Sequence, residues 1–371
     1  MGFDPEAAAK LRGAHRVAVR SPPYPMPISA PPPPSKHRRA SPIDVTTEVA
    51  TAPVAEQSPA VHDSIDSPLH RGARMIVLLS VVLPPVALIA VMWLAWGNGF
   101  SPLDLALFGG MYLLCGFGIT VGLHRYFTHK GFDCPRWVKW GLGITGSMSC
   151  QGDLFWWCAV HRQHHQHSDQ DDDPHSPNIG RGGRIRRFLR SHFGWLFRIE
   201  QPDLDRYVPD LLADGDLQII NRLFPLWVAL GLAIPTVLGG VITGTWLGAL
   251  TGLLWGGLVR IGLEHHVTWS VNSVCHIWGT RPYDSHDHSR NNPIVGVLAL
   301  GEGWHNNHHA FPTSARHGLS WWQFDATWIA IRLMSCLGMA RAIKTPTAER
   351  MKKSRRSKVD SRSLVDDATG S

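Results

Sequence analysis

Apolar residues gather into four long runs separated by polar sequence. Met75 to Trp96 and Leu103 to Leu123 come first, joined by the short uncharged link Gly97 to Pro102. Leu223 to Val241 and Trp246 to Leu263 follow, joined by the uncharged turn Ile242 to Thr245. Each run approaches the ~20 apolar residues a helix needs to cross a bilayer's hydrocarbon core. Pro84 and Pro85 predict a kink in the first, and Asp104 opens the second, where a carboxylate suits a helix N-terminus. The pattern predicts an all-α integral membrane protein with two hairpins of transmembrane helices. A fifth stretch, Trp137 to Trp157, is only moderately apolar and is broken by Gly141, Gly143, Gly146 and Gly152.

The polar sequence fixes the orientation. Both ends, the 124–222 loop and everything after residue 260 carry the Lys and Arg residues, whereas the two hairpin turns carry none. The positive-inside rule puts the charged face in the cytoplasm. Residues 1–70, with Pro22, Pro23, Pro25, Pro27 and Pro31 to Pro34, are expected to form a disordered tail lacking the features of a secretory signal. Residues 71–344 form one expected domain, and 345–371 a charged, disordered tail. The net charge of +7 is spread in this way over 371 residues, and the Lys36–Arg39 cluster reads as a solvated run. Six cysteines without a Cys-x-x-Cys pair exclude a zinc ribbon and a disulfide framework. Sixteen tryptophans suit a membrane interface.

Histidine carries the chemistry. His305, His308 and His309 stand at i, i+3 and i+4 in Gly-Glu-Gly-Trp-His-Asn-Asn-His-His, and His161, His164 and His165 repeat that spacing. On a helix these positions share one face. His124 and His129 open the second run's polar end. Eight imidazoles exceed what one tetrahedral site uses, so a site for two metals is expected. They must share a membrane face, which makes the Trp137–Trp157 stretch interfacial or re-entrant, under a helical cytoplasmic cap. No His-Glu-x-x-His is present, which excludes that metalloprotease mechanism. His167, His175, His265, His266 and His317 are expected to support the boxes, since ligating imidazoles need partners for their second nitrogen.

The ordered set of motifs resembles the membrane fatty-acyl desaturases, in the stearoyl-CoA desaturase and bacterial delta-9 branch, over residues 75 to 340. The set comprises His-Arg-Tyr-Phe-Thr-His at 124, Gln-Gly-Asp at 151, His-Arg-Gln-His-His at 161, Asp-Pro-His at 173 and His-Phe-Gly-Trp-Leu at 192. It continues with Thr-Trp-Ser-Val-Asn-Ser-Val-Cys-His at 268, Arg-Pro-Tyr-Asp at 281 and the box at 301. The resemblance implies a ninth ligand, His276, and a metal contact through water from Asn272. It implies two iron ions as cofactor, held by His124, His129, His161, His164, His165, His276, His305, His308 and His309, with O₂ as co-substrate. It also implies that Gln151, Trp157, Thr268 and Trp269 line the bend of an acyl channel. Tyr112, ~18 Å from His124 along a helix, is expected to close the channel, with Phe108 as the alternative.

An unactivated methylene has no acidic proton, so desaturation needs an oxidant made from O₂ at a metal. The expected activity is insertion of a cis double bond, delta-9 by the branch, into an acyl chain carried on CoA or membrane lipid. Two departures matter. Ala159 and Val160 stand where the stearoyl-CoA enzymes carry Arg and Asp, which weakens the case for a CoA grip. The basic run Arg181, Arg184, Arg186 and Arg187 suits a phosphate, a headgroup or an acidic partner. The sequence also has no dinucleotide loop, iron–sulfur cysteine set or fused haem domain, so electrons are expected from a separate ferredoxin or rubredoxin with its reductase. No nucleic-acid partner is expected. The expected location is a bacterial inner membrane with tails and site cytoplasmic. The rivals are a di-iron hydroxylase or ketolase, separable by product analysis, and a non-catalytic membrane metal-binding protein, whose ligands would lie nearer the midplane.

Overall fold

A computed structural model describes residues 68–95, 101–197 and 201–355. The N-terminal tail up to residue 67, most of the Gly97–Pro102 link and the last residues, 356–371, lie outside the described residues. Among the described residues the protein is all-helical, with only isolated β-bridges.

Four helices are long and apolar enough to cross a membrane: Val77–Ala95, Pro102–Thr128, Phe224–Thr243 and Trp246–His276. The first lies within α1 (Pro68–Ala95), which runs unbroken through Pro84 and Pro85. The second begins as α2 (Pro102–Phe117), where Ser101 and Asp104 cap each other reciprocally. It continues as a wide π-helical stretch, Gly118–Thr128. The sequence reading ended this run at Leu123. The helix instead carries the first histidine box on its last turns, because the π-turns keep the backbone bonded through it.

The glycine-broken stretch forms α3 (Arg136–Ser147) and α4 (Leu154–His167), of 12 and 14 residues. Neither is long enough to cross alone. Its Gly146 permits close approach to the second span, since a Cβ there would stand 2.9 Å from Gly118 O. The polar segment supplies α5 (Arg184–His192), α6 (Leu204–Tyr207), α7 (Pro209–Leu212) and α8 (Gly215–Arg222). Leu123 and Phe127 of the second span, Leu154, Phe155 and Cys158 of α4, and Leu217 and Ile220 of α8 form one core.

The third span is α9 (Phe224–Thr243). The fourth joins α10 (Trp246–Gly252), a π-helical stretch Leu253–Val259, α11 (Arg260–Ser273) and a tight turn Val274–His276. It runs thirteen residues past the sequence boundary at Leu263. Gly239 faces the Gly248 carbonyl across the hairpin, leaving no room for a Cβ. Three short helices follow: α12 (Pro293–Leu298), α13 (His305–Ala310) and α14 (Ala326–Cys336). Within the stretch read as the charged tail, α15 (Ala348–Lys353) is capped by Thr347, and Asp284 N–H donates to Ser354 O at 2.7 Å.

Candidate metal centre

Each histidine box is delivered by a helix end. The π-turns place His124 and His129 on one side, with His129 N–H donating to His124 O at 3.1 Å and ring centroids 4.8 Å apart. α4 carries His161, His164 and His165, α13 carries His305, His308 and His309, and the turn after α11 carries His276.

The nine imidazoles divide into two groups. Ring nitrogens of His124, His129, His161, His165 and His308 lie within 4.8 Å of one another, as do those of His164, His276, His305 and His309. In the first group the Nε2 atoms approach at 3.1 Å for His124–His308, 3.1 Å for His129–His161 and 2.8 Å for His165–His308. In the second, His276 and His305 meet at 3.1 Å.

Outer carboxylates set the tautomers. His164 Nδ1 donates to Asp173 at 3.0 Å, His276 Nδ1 to Asp169 at 3.0 Å, and His309 Nδ1 to Asp287. His124 Nδ1 lies 2.5 Å and His317 Nδ1 3.1 Å from Glu302 Oε2, while Arg125 donates to Glu302 Oε1 at 3.0 Å. A proton held at Nδ1 leaves the Nε2 lone pair facing the cluster. His164 Nε2 and His309 Nε2 are buried without a hydrogen-bond partner. Lone pairs converging in a buried space repel unless a cation lies between them, and imidazole suits a transition metal. The donor set fits two metal ions.

The ionisation states agree. Burial, then the neighbouring histidines, lowers His129, His161, His165, His305 and His308 well below the ordinary imidazole value, keeping them neutral. Burial alone would raise the carboxyl groups of Asp173 and Asp287, but the histidines outweigh it and both stay ionised. Glu302 is likewise held down, with Arg125 its largest opposing influence.

Of the residues expected to line a channel, three come together. Gln151 Nε2 donates to Thr268 Oγ1 at 3.0 Å, and Trp157 Nε1 donates to Gln151 Oε1 at 3.4 Å. The Trp157 ring stacks on His161 at 5.2 Å, tying this network to the five-histidine group. Trp269 does not join it; its ring packs against His265, His266 and His192. Tyr112 stands apart, donating to Leu298 O at 2.6 Å and stacked on Phe108. Asn272 is half-buried on α11, one helical turn before His276.

Among the supporting histidines, His317 reaches Glu302, and His175 N–H donates to Asp173 at 3.0 Å. His265 instead bonds Ser149 O and His266 bonds His192, away from the boxes. Ala159 and Val160 are buried, so no headgroup grip forms there. Asp169, Asp287, Glu302 and Arg125 are not among the residues expected from the sequence. Glu302 stands within the third box and Arg125 follows His124, which was a usable signal. Asp169 and Asp287 carried none, because their partners are distant in sequence.

The family model described as "Fatty acid desaturase" matches residues 101–335, well over half the chain and all three boxes. The chain belongs to the fatty acid desaturase family. This desaturase is 43% identical over 277 residues to a hex-5-enoyl-[acyl-carrier protein] acetylenase of Moorena producens, covering 73% of this chain and 86% of that protein. It is 42% identical over 234 residues to an sn-1 stearoyl-lipid 9-desaturase of a Synechocystis species, covering 62% and 68%. It is 40% identical over 242 residues to an acyl-CoA C20 Delta5-desaturase of Anemone leveillei, covering 64% and 72%. The desaturase is accordingly an oxidoreductase, and its four spans and its family make it a membrane protein.

Proposed function

We propose that this desaturase is an O₂-dependent di-iron enzyme that introduces a cis double bond, at delta-9, into a saturated acyl chain. The observation that carries the metal half is the division of nine buried or half-buried imidazoles into groups of five and four, with Nε2 atoms turned toward one another. One iron would be held by His124, His129, His161, His165 and His308. The other would be held by His164, His276, His305 and His309, with Asn272 reaching it through water. Two bound, reduced irons would supply the O₂-derived oxidant that an unactivated methylene requires.

The remaining roles belong to side chains. Asp169, Asp173, Asp287 and Glu302 hold the Nδ1 protons and fix each ring's orientation. Gln151, Thr268 and Trp157 form a hydrogen-bonded wall beside the five-histidine group and position the chain at its bend. Trp269, next to Thr268 in the chain, is assigned to the same bend, and Tyr112 closes the far end. The catalytic domain is residues 71–344, with the site on the cytoplasmic face of a bacterial inner membrane. Electrons arrive from a separate ferredoxin or rubredoxin and its reductase.

An acyl-lipid substrate is favoured over acyl-CoA. The positions where the CoA branch has Arg and Asp are the buried Ala159 and Val160 here, and two relatives near 42% identity are named stearoyl-lipid 9-desaturases. The test is a purified preparation in vesicles, given O₂, a reductant chain and either stearoyl-lipid or stearoyl-CoA. A monounsaturated product on the lipid, from protein with two irons per chain, is expected. A hydroxylated product would move the enzyme to the hydroxylases, and desaturation of the CoA ester alone would overturn the substrate assignment.

A further inference from the structure

One face of the second span carries Tyr112, Gly116 and Thr120 at four-residue spacing. All three meet the chain that follows the fourth span. The Tyr112 hydroxyl donates to Leu298 O at 2.6 Å, and the Thr327 hydroxyl donates to Thr120 Oγ1 at 2.7 Å. Between them, a Cβ on Gly116 would stand 3.0 Å from Leu300 Cδ1. At 1.5 Å per residue, these contacts lie ~15, ~21 and ~27 Å from Pro102 along the helix. The hydrocarbon core is ~30 Å thick. With Pro102 at the far boundary, α12 and the start of α14 are at hydrocarbon depth, although neither spans.

Their outward surface has the composition that depth requires. α12 turns Ile294, Val297 and Leu298 outward, and Ile294 is 72% exposed. α14 turns out Ile329, Leu333 and Leu337, again at four-residue spacing, and buries Thr327 and Ile331. A short helix apolar on both faces belongs in a core or a membrane. The intervening backbone from 299 to 308 is buried in protein, so its polar groups do not meet lipid. Between the helices Trp321 is 94% exposed, beside exposed Trp322 and Phe324, the residue type that settles at the headgroup level. Arg332 is the one charged residue in either helix. Its guanidinium lies 5.7 Å from the Trp328 ring, and its stem is long enough to snorkel.

We propose that residues 293–337 form a lipid-immersed shoulder on the second span, with the bilayer itself as partner. α12 and the outer face of α14 sit among acyl chains, and Trp321 and Trp322 mark the headgroup boundary. The inference rests on the spans and does not depend on the metals.

The test replaces Ile294, Leu333 or Leu337, one at a time, with a photoreactive benzophenone amino acid in the full chain in phosphatidylcholine–phosphatidylglycerol vesicles. Val237, exposed on the third span, and Asp205, exposed in the polar segment, are the references. Resistance to alkaline extraction shows that each variant is inserted. Mass spectrometry then reads lipid adducts. Yields matching Val237 at all three positions are expected. Yields as low as at Asp205, or adducts to a second copy of the chain, would overturn the proposal.

Discussion

Asp173→Asn tests whether the two histidine groups are separate metal sites. Asp173 is fully buried and accepts three N–H donors: His164 Nδ1 at 3.0 Å, Asp169 N at 2.8 Å and His175 N at 3.0 Å. Asparagine keeps the shape but exchanges one acceptor oxygen for a donor. One backbone N–H then faces an N–H, at a cost of ~1–3 kcal/mol. His164 loses its partner or moves its proton to Nε2, the nitrogen turned toward the cluster. Removing such an outer partner costs 10–100-fold in metal affinity, or roughly 1.4–2.7 kcal/mol. Of the two histidine groups, His164 belongs to the group of four and not to the group of five. Chelator competition should therefore show one metal of two weakened and the other held as in the unmodified protein. Unchanged affinity at both, or equal loss at both in a chain with normal thermal unfolding, would refute the division.

Further outcomes follow from other parts of the fold. Arg260 is buried in the fourth span, bonded to Glu264, Gly256 O, Met148 O and Gly231 O. Arg260→Met should destabilise by about 3–5 kcal/mol, and adding Glu264→Leu should recover much of that, read by chemical unfolding in detergent; equal stability of the two variants would contradict it. In metal-free protein, burial lowers His175 to about 3 and His317 to about 4. The unfolded chain then binds more protons between those values and ~6.5. Stability should fall as pH drops from 6.5 to 5, by up to ~1.4 kcal/mol per pH unit for each histidine. His164, raised by Asp173 against the effect of burial, acts oppositely above that window. A thermal scan showing greater stability at pH 5 than at pH 6.5 would contradict the sign. Gln151→Leu removes the bonds to Thr268 and Trp157, and should lower kcat/KM or scatter the double-bond position while both metals remain; an unchanged product distribution and rate would remove Gln151 from the channel.

The four spans and the three boxes were legible because each is a local pattern. A run of apolar residues or an i, i+3, i+4 histidine set needs no partner to be seen. The Trp137–Trp157 stretch, expected not to cross, lies in the short helices α3 and α4 and their link. What the sequence concealed was tertiary. The π-turns that carry His124 and His129 on the second span leave no composition signal. Asp169 and Asp287 look like ordinary acidic loop residues until His276 and His309 arrive beside them. α14 has eleven residues, too few to register as membrane-associated, and only its contacts with Thr120 and the side chains around it reveal its depth.

Acyl desaturation at the histidine centre can be read in the fatty-acid profile of a desaturase-deficient host expressing this chain beside its His305→Ala variant. A new cis-monounsaturated acid, with the bond at delta-9, should appear with the first and vanish with the second. A monounsaturated acid that persists in the variant, or hydroxylated acids in its place, would contradict the account.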